Sequence, residues 1–95
     1  MDHTIAVKGE LDVATAPGLL RRLDERIDAD PGALLVLDFE EVSFVDSTGL
    51  GMLVSANRRA RAAGGELAVR NLRPNVRRVF EMTGLDKVLL LPVPA

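Results

Sequence analysis

Hydrophobic residues recur along the chain with two different periods, and the alternation of these periods predicts the architecture. In residues 4–8 apolar and polar side chains alternate, as expected of a strand with one buried face. Residues 33–37 are apolar throughout, which is typical of a central strand covered on both sides. Two further short runs, at residues 66–70 and 88–91, complete the predicted set of strands.

Segments with helical spacing separate these strands. Their apolar residues recur three and four positions apart, which places them on one stripe of each helix. Hydroxyl residues or proline mark the helix starts, and glycine or proline marks the ends. These signals predict helices from an N-cap at Thr15 to the Asp30-Pro31-Gly32 stop, from about Ser47 to Ala63, and from Pro74 to a glycine C-cap at Gly84.

The predicted order is β-α-β-α-β-α-β, which indicates an α/β fold with a mostly parallel central sheet packed by helices. Between the second strand and the second helix, Glu40-Glu41 is predicted to form a polar turn before Val42, Phe44 and Val45 return to the core. No linker or repeat divides the chain, so residues 1–95 are predicted to form one domain. The apolar fraction of 47% supplies a core for it.

Composition narrows the function classes. The chain has no cysteine, which excludes disulfides and thiolate metal sites, and neither a metal site nor a cofactor is predicted. No signal-peptide pattern is present, and the apolar runs are far shorter than the ~20 residues that span a bilayer. We therefore expect a cytoplasmic domain without membrane insertion.

The formal net charge of −2 hides an uneven distribution. Residues 1–46 carry eleven acids and four bases, whereas residues 47–95 carry eight bases and three acids. Seven of those bases are arginines between Arg58 and Arg78. They indicate either solvated helix faces or a surface for an acidic or phosphorylated partner. Nucleic acid is not predicted, because the acidic half repels phosphate and no paired aromatic residues offer base stacking.

The segment richest in candidate chemistry is FVDSTGLGML, residues 44–53, at the junction between the second strand and the second helix. A serine nucleophile there would need a base, and the single histidine, His3, lies in the terminal segment. A phosphate-binding P-loop would need a lysine after its second glycine, yet Met52 and Leu53 follow Gly51. Neither a hydrolase nor a P-loop is predicted, and nucleotide binding stays open without a residue that supports it.

Two interpretations of Ser47 remain. As an N-cap it would satisfy an orphan helix amide, which is worth about 1 kcal/mol. As a phosphate acceptor it would hold the phosphate at the positive end of the helix, beside Asp46. Gly49 and Gly51 lower the helix propensity but leave the helix start bare enough for another protein to approach. The absence of side chains at these two positions favours a docking surface that carries a phosphorylatable serine.

Several motifs lie along nearly the whole chain: G-E-L-D at residues 9–12, the strand at 34–38, V-S-F-V-D-S-T-G-L-G at 42–51, G-G at 64–65, L-R-P-N-V-R-R-V-F at 72–80 and T-G-L at 83–85. Together these motifs resemble the STAS domain, in particular the bacterial anti-sigma factor antagonists. The resemblance implies a binding module in transcription regulation rather than an enzyme.

The resemblance also implies a mechanism of partner switching. In that family the unmodified antagonist binds an anti-sigma factor with a GHKL-type serine kinase domain, which releases the sigma factor. The kinase phosphorylates the serine after the motif's aspartate, here Ser47 with Thr48 as second choice, and a metal-dependent serine phosphatase reverses the reaction. Asp12 is implied to lie near this serine, either as a partner contact or as a turn carboxylate that caps backbone amides. The residues assigned to partner binding are Asp12, Asp46, Ser47, Thr48, Gly49, Leu50 and Gly51.

Two departures and one alternative function accompany the resemblance. The family usually has a strand before the one that ends in G-E-L-D and a further C-terminal helix, and we expect this chain to lack both. An exposed strand at residues 88–91 would then indicate a homodimer or a shortened chain. The alternative function is an accessory subunit of a membrane transport system for anions or lipids. Ser47 directly after Asp46 favours the antagonist, because a scaffold does not need a phosphorylatable serine.

Overall fold

The computed structural model describes residues 3–89, which form a parallel three-stranded sheet with helices packed against it. The strand order is β1-β2-β3, so β2 is central. The predicted α/β class and the order of the first six elements are confirmed. In chain order the elements are β1 (His3–Leu11), α1 (Ala16–Ala29), β2 (Leu34–Val45), α2 (Ser47–Ala62), β3 (Glu66–Arg70), α3 (Pro74–Thr83) and α4 (Asp86–Leu89).

The core lies between the sheet and the helices. Leu37 of β2 and Leu67 of β3 are fully buried in it. Phe39 of β2 and Phe80 of α3 meet edge to face, with ring centroids 6.2 Å apart and an interplanar angle of 85°, which ties α3 to the central strand. The buried stripe of α1 has the predicted helical spacing and consists of Ala16, Leu19, Leu23 and Ile27.

The predicted last strand at residues 88–91 is wrong where the structure describes it. Val88 and Leu89 belong to the short helix α4, and residues 90–91 lie outside the described part of the chain. The amides of Val88 and Leu89 both donate to Leu85 O, at 3.1 and 2.8 Å, which is a helical pattern. A short apolar run cannot distinguish a strand from a buried helical turn. At positions 88 and 89 the exposed strand that motivated the homodimer hypothesis is therefore not found.

The central strand β2 is one strand of 12 residues rather than a strand followed by a turn. Glu40 and Glu41, which were predicted to form a turn, lie within this strand. The strand is irregular at this point: Asp38 Oδ1 accepts the Glu40 amide at 3.0 Å, and the pairing with β1 shifts by one residue. Val42 and Val45 are buried as predicted. Phe44 is 47% exposed, so its predicted place in the core is wrong.

The second half of β2 extends past β3, whose pairing with it ends at Asp38. Two side chains that follow β3 donate hydrogen bonds to this half of β2. Arg73 Nε lies 3.0 Å from Glu40 O, and Asn75 Nδ2 lies 2.8 Å from Ser43 O. These bonds hold the start of α3 against the end of the central strand.

Candidate functional site

The candidate site lies where β1 and β2 end side by side. A register shift between Gly9, which has a φ of 79°, and Glu10 sets Leu11 opposite Val45. Asp46 N then donates to Leu11 O at 3.2 Å. The turn after β1 and the start of α2 therefore leave the sheet from neighbouring positions, at the edge where parallel α/β sheets bind their ligands.

Asp12, the first residue after β1, holds the turn into α1. Its Oδ1 accepts hydrogen bonds from the amides of Ala14 at 3.0 Å and Thr15 at 3.1 Å. Thr15 Oγ1 accepts from Asp12 N and donates to Glu10 O, so this hydroxyl closes the turn and makes no capping bond to α1. The interpretation of Asp12 as a turn carboxylate is confirmed. A partner contact by its half-buried side chain stays a prediction.

Asp46, rather than Ser47, caps α2. The Asp46 backbone is extended, and its Oδ1 accepts the Gly49 amide at 3.0 Å. Ser47 is the first helical residue, it is exposed, and its hydroxyl makes no hydrogen bond within residues 3–89. The N-cap interpretation of Ser47 is wrong, because the carboxylate one residue earlier takes the amide that a cap must satisfy. The hydroxyl is therefore available for chemistry.

The capping bond of Asp46 can be tested by substitution. Asp46→Ala is expected to lower the free energy of unfolding by about 1 kcal/mol, because the Gly49 amide loses its acceptor. Asp46→Asn keeps a side-chain oxygen at that position and should remain close to the wild type. Urea denaturation of the three proteins measures the difference. An equal loss in both variants would show that the charge of Asp46, and not its hydrogen bond, stabilises the start of α2.

The two glycines of the segment have different surroundings. A Cβ on Gly49 would lie 2.7 Å from Leu11 O and 2.9 Å from Leu11 Cγ, so the start of α2 touches the end of β1 directly. A Cβ on Gly51 would meet nothing within 4 Å. The interpretation that the glycines leave the surface open therefore holds for Gly51. Gly49 instead permits a close contact inside the protein.

The residues predicted to bind a partner come together near this edge but differ in exposure. Solvent reaches five of them: Asp12, Asp46, Ser47, Thr48 and Gly51. Two are buried within the protein: Gly49 and Leu50. Asp46, Ser47 and Thr48 are consecutive, Gly51 follows three positions later on α2, and Asp12 lies at the neighbouring strand end. The contact of these five residues with a partner stays a prediction.

Three carboxylates lie near Ser47. Glu10, Asp12 and Asp46 all lie at the ends of β1 and β2, and none of the three forms an ion pair within the described residues. Some of the arginines in the second half of the chain form ion pairs elsewhere in the fold. Arg59 pairs with Asp24 of α1 at 2.8 Å. Within the described residues, no lysine or arginine forms an ion pair with these three carboxylates.

The described residues hold no catalytic constellation at this edge. His3, the chain's single histidine, is bound to Asp30 at 2.9 Å at the start of β1. The length of β1 separates His3 from the edge with Ser47 by about 25 Å. Within residues 3–89 no three His, Asp or Glu side chains are grouped to hold a metal ion. In the same range no helix has the length and apolar character needed to cross a membrane.

Comparison with known proteins identifies the family to which this arrangement of strands and helices belongs. The STAS domain family matches residues 2–93. The chain belongs to the STAS domain family. The anti-sigma-B factor antagonist of Listeria monocytogenes serovar 1/2a is 40% identical to this STAS domain over 89 residues, which are 93% of this chain and 77% of the relative. Relatives with this name are regulatory binding proteins and not enzymes, in agreement with the prediction.

Solved structures show the same fold. The anti-sigma factor antagonist SpoIIAA in its unphosphorylated form matches this STAS domain with a TM-score of 0.80 and 28% identity over 95% of this chain and 78% of that chain. SpoIIAA in the phosphorylated form matches with a TM-score of 0.69 and 27% identity over 95% and 81%. A sulfate transporter family protein from Wolinella succinogenes matches with a TM-score of 0.73 over 93% and 70%, but at 17% identity this likeness shows the fold alone.

Two exposed apolar residues beside the site are missed by sequence reasoning. Val13 follows Asp12 and is 71% exposed, and Phe44 lies two residues before Asp46. A large apolar residue in the turn between β1 and α1 is a signal that identifies Val13. The exposure of Phe44 has no such signal, because it follows from the register shift between Gly9 and Glu10.

Proposed function

We propose that this STAS domain is an anti-sigma factor antagonist whose binding is switched off by phosphorylation of Ser47. The observation that carries the proposal is the exposed hydroxyl at the first residue of α2, which no hydrogen bond within residues 3–89 uses. Its modification therefore removes no side-chain hydrogen bond of this part of the chain. Relatives named anti-sigma-B factor antagonist, and the existence of a related SpoIIAA structure in the phosphorylated form, support this role.

A phosphate on Ser47 is compatible with the fold. It would lie at the positive end of α2, where an anion gains about 0.3–1 kcal/mol. Apart from the N-cap carboxylate of Asp46, the first turn of α2 contains no acidic residue that would oppose the phosphate. Phosphorylation is therefore expected to leave the domain folded.

The same phosphate opposes a bound kinase. It adds a charge of about −1.5 to −2 to the surface near Asp12 and Asp46. A serine that receives phosphate must approach the nucleotide of the kinase, so phosphoserine would face the like charge of the remaining nucleotide phosphates. Burial of a charge without a partner costs several kcal/mol, and each ~1.4 kcal/mol lowers the affinity tenfold. Ser47 would thus control binding without unfolding the domain.

The proposed partners follow from this role. The unphosphorylated domain binds an anti-sigma factor with a GHKL-type serine kinase domain, and the sigma factor is released into the bacterial cytoplasm. A metal-dependent serine phosphatase restores the binding form. Thr48 is the second candidate acceptor, because it is also exposed in the first turn of α2.

Two other proposals have less support. A transport role is favoured by no observation, since the likeness to the transporter protein extends to the fold alone. A homodimer is tested by sedimentation over a series of concentrations, where a monomer mass throughout would contradict it.

The phosphorylation itself is tested with a candidate anti-sigma kinase and ATP. Intact mass is expected to show one added phosphate, and peptide mapping should place it on Ser47. Ser47→Ala should abolish the incorporation, whereas Thr48→Ala should retain it. Phosphate on Thr48 alone would favour the second acceptor, and no incorporation by a kinase that binds the domain would contradict the switch.

A further inference from the structure

Four large apolar side chains are exposed within residues 3–89, and two of them border the candidate site. Val13 is 71% exposed and Phe44 is 47% exposed. The other two, Met82 and Val88, belong to α3 and α4. A single exposed apolar residue needs no explanation. Two that flank one functional surface are typical of a protein interface.

The turn that carries Val13 is fixed on both sides. Asp12 Oδ1 accepts the amides of Ala14 and Thr15. Thr15 Oγ1 donates to Glu10 O at 2.7 Å. The backbone around Val13 is therefore held while its side chain remains in solvent. A β-branched side chain on a fixed backbone loses little conformational entropy when it docks.

Phe44 is also presented on a fixed backbone. It lies opposite Glu10 of β1, so one edge of β2 is paired at this point. On the other edge Asn75 Nδ2 donates to Ser43 O at 2.8 Å. The half-exposed ring therefore projects from a strand that is held on both edges, which is the arrangement of a preformed contact residue.

Glu10 connects the two apolar residues to one surface. It pairs with Phe44 across the strand spacing of about 4.8 Å, and it precedes Val13 by three residues. Ser47 follows Phe44 by three residues, so their Cα atoms are at most about 11 Å apart. A protein that docks on Ser47 with an interface of ordinary size, about 800 Å² on each partner, therefore extends far enough to reach Phe44.

We propose that Phe44 and Val13 are the apolar anchors through which this chain binds the anti-sigma factor, whose facing surface is an apolar pocket bordered by basic side chains. The inference rests on the proposed function and adds the chemistry of the partner surface. The basic border follows from charge complementarity, because Glu10, Asp12 and Asp46 have no ion pair within the described residues. A few buried apolar and aromatic anchors carry most of the binding energy in protein interfaces.

The test is a calorimetric titration of a candidate anti-sigma factor with the wild type and three variants. Met82→Ala is the matched control, because Met82 is 79% exposed on α3, away from the strand ends. We expect Phe44→Ala to weaken binding by about tenfold to a hundredfold and Val13→Ala by about threefold to tenfold. Met82→Ala should stay within about twofold of the wild type. The wild-type affinity should also fall as salt is added.

The outcomes separate this inference from the proposed function. If the wild type binds and is phosphorylated on Ser47, while Phe44→Ala and Val13→Ala bind within about twofold of it, the anchors are wrong and the proposed function stands. If the wild type neither binds nor is phosphorylated, the proposed function fails and the anchors fail with it. If circular dichroism shows that Phe44→Ala is unfolded, Val13→Ala decides, since its side chain is mostly in solvent.

Discussion

Ser47→Asp is expected to lower the affinity for the anti-sigma factor by at least about tenfold, without a lower melting temperature. The carboxylate would place a negative charge where the partner and its nucleotide approach. In the isolated domain the same charge lies in the first turn of α2, where it interacts favourably with the helix dipole. Calorimetric titration measures the binding, and thermal denaturation followed by circular dichroism measures the stability.

Two further variants control this experiment. Ser47→Ala should fold and bind like the wild type but remain bound after incubation with kinase and ATP, because Asp46 and not Ser47 caps the helix. Thr48→Asp adds the same charge one residue later and should weaken binding less. Wild-type affinity of Ser47→Asp would contradict the switch, and an unfolded Ser47→Ala would show that the serine is structural.

Gly49→Ala is expected to lower the free energy of unfolding by about 1–3 kcal/mol. The added methyl group would stand 2.7 Å from Leu11 O, a backbone atom that cannot rotate away. Either the start of α2 or the end of β1 must therefore move. Urea denaturation measures the loss, and the wild-type slope of the transition would confirm that the fold is retained.

Gly51→Ala is the matched control on the same helix. Its methyl group would meet nothing within 4 Å, and alanine has a higher helix propensity than glycine by up to ~1 kcal/mol. The two substitutions are therefore expected to change stability in opposite directions. A loss of similar size in both would contradict the close contact between Gly49 and Leu11 as the cause.

Most of the fold follows from periodicity in the sequence. The alternation in β1, the continuous apolar run in β2 and the helical stripe of α1 each reflect burial on one sheet, so they could be predicted without knowledge of the neighbours. The secondary structure of residues 88–91 could not be predicted in this way, because a run of four apolar residues fits a strand and a buried helical turn equally well. Only the hydrogen bonds to Leu85 O distinguish the two at Val88 and Leu89.

The sequence placed the candidate residues at the junction between β2 and α2, where the structure also has them, but it did not reveal which of them caps the helix. Asp46 and Ser47 are equally good N-cap residues by type, and only the backbone angles decide between them. The close approach of Gly49 to Leu11 and the exposure of Phe44 depend on how β1 and β2 are aligned. In this chain two register shifts, between Ala6 and Lys8 and between Gly9 and Glu10, change that alignment, and the hydrophobic pattern did not predict them.

The hydrogen bonds from Arg73 and Asn75 to β2 bear on the solubility of the chain as well as on its stability. Past the end of β3, the edge of β2 that β3 would otherwise pair with is closed by the side chains of Arg73 and Asn75. An unprotected strand edge beside an exposed aromatic ring such as Phe44 is a template for self-association. The two side chains thereby oppose the addition of a further strand along this edge of β2.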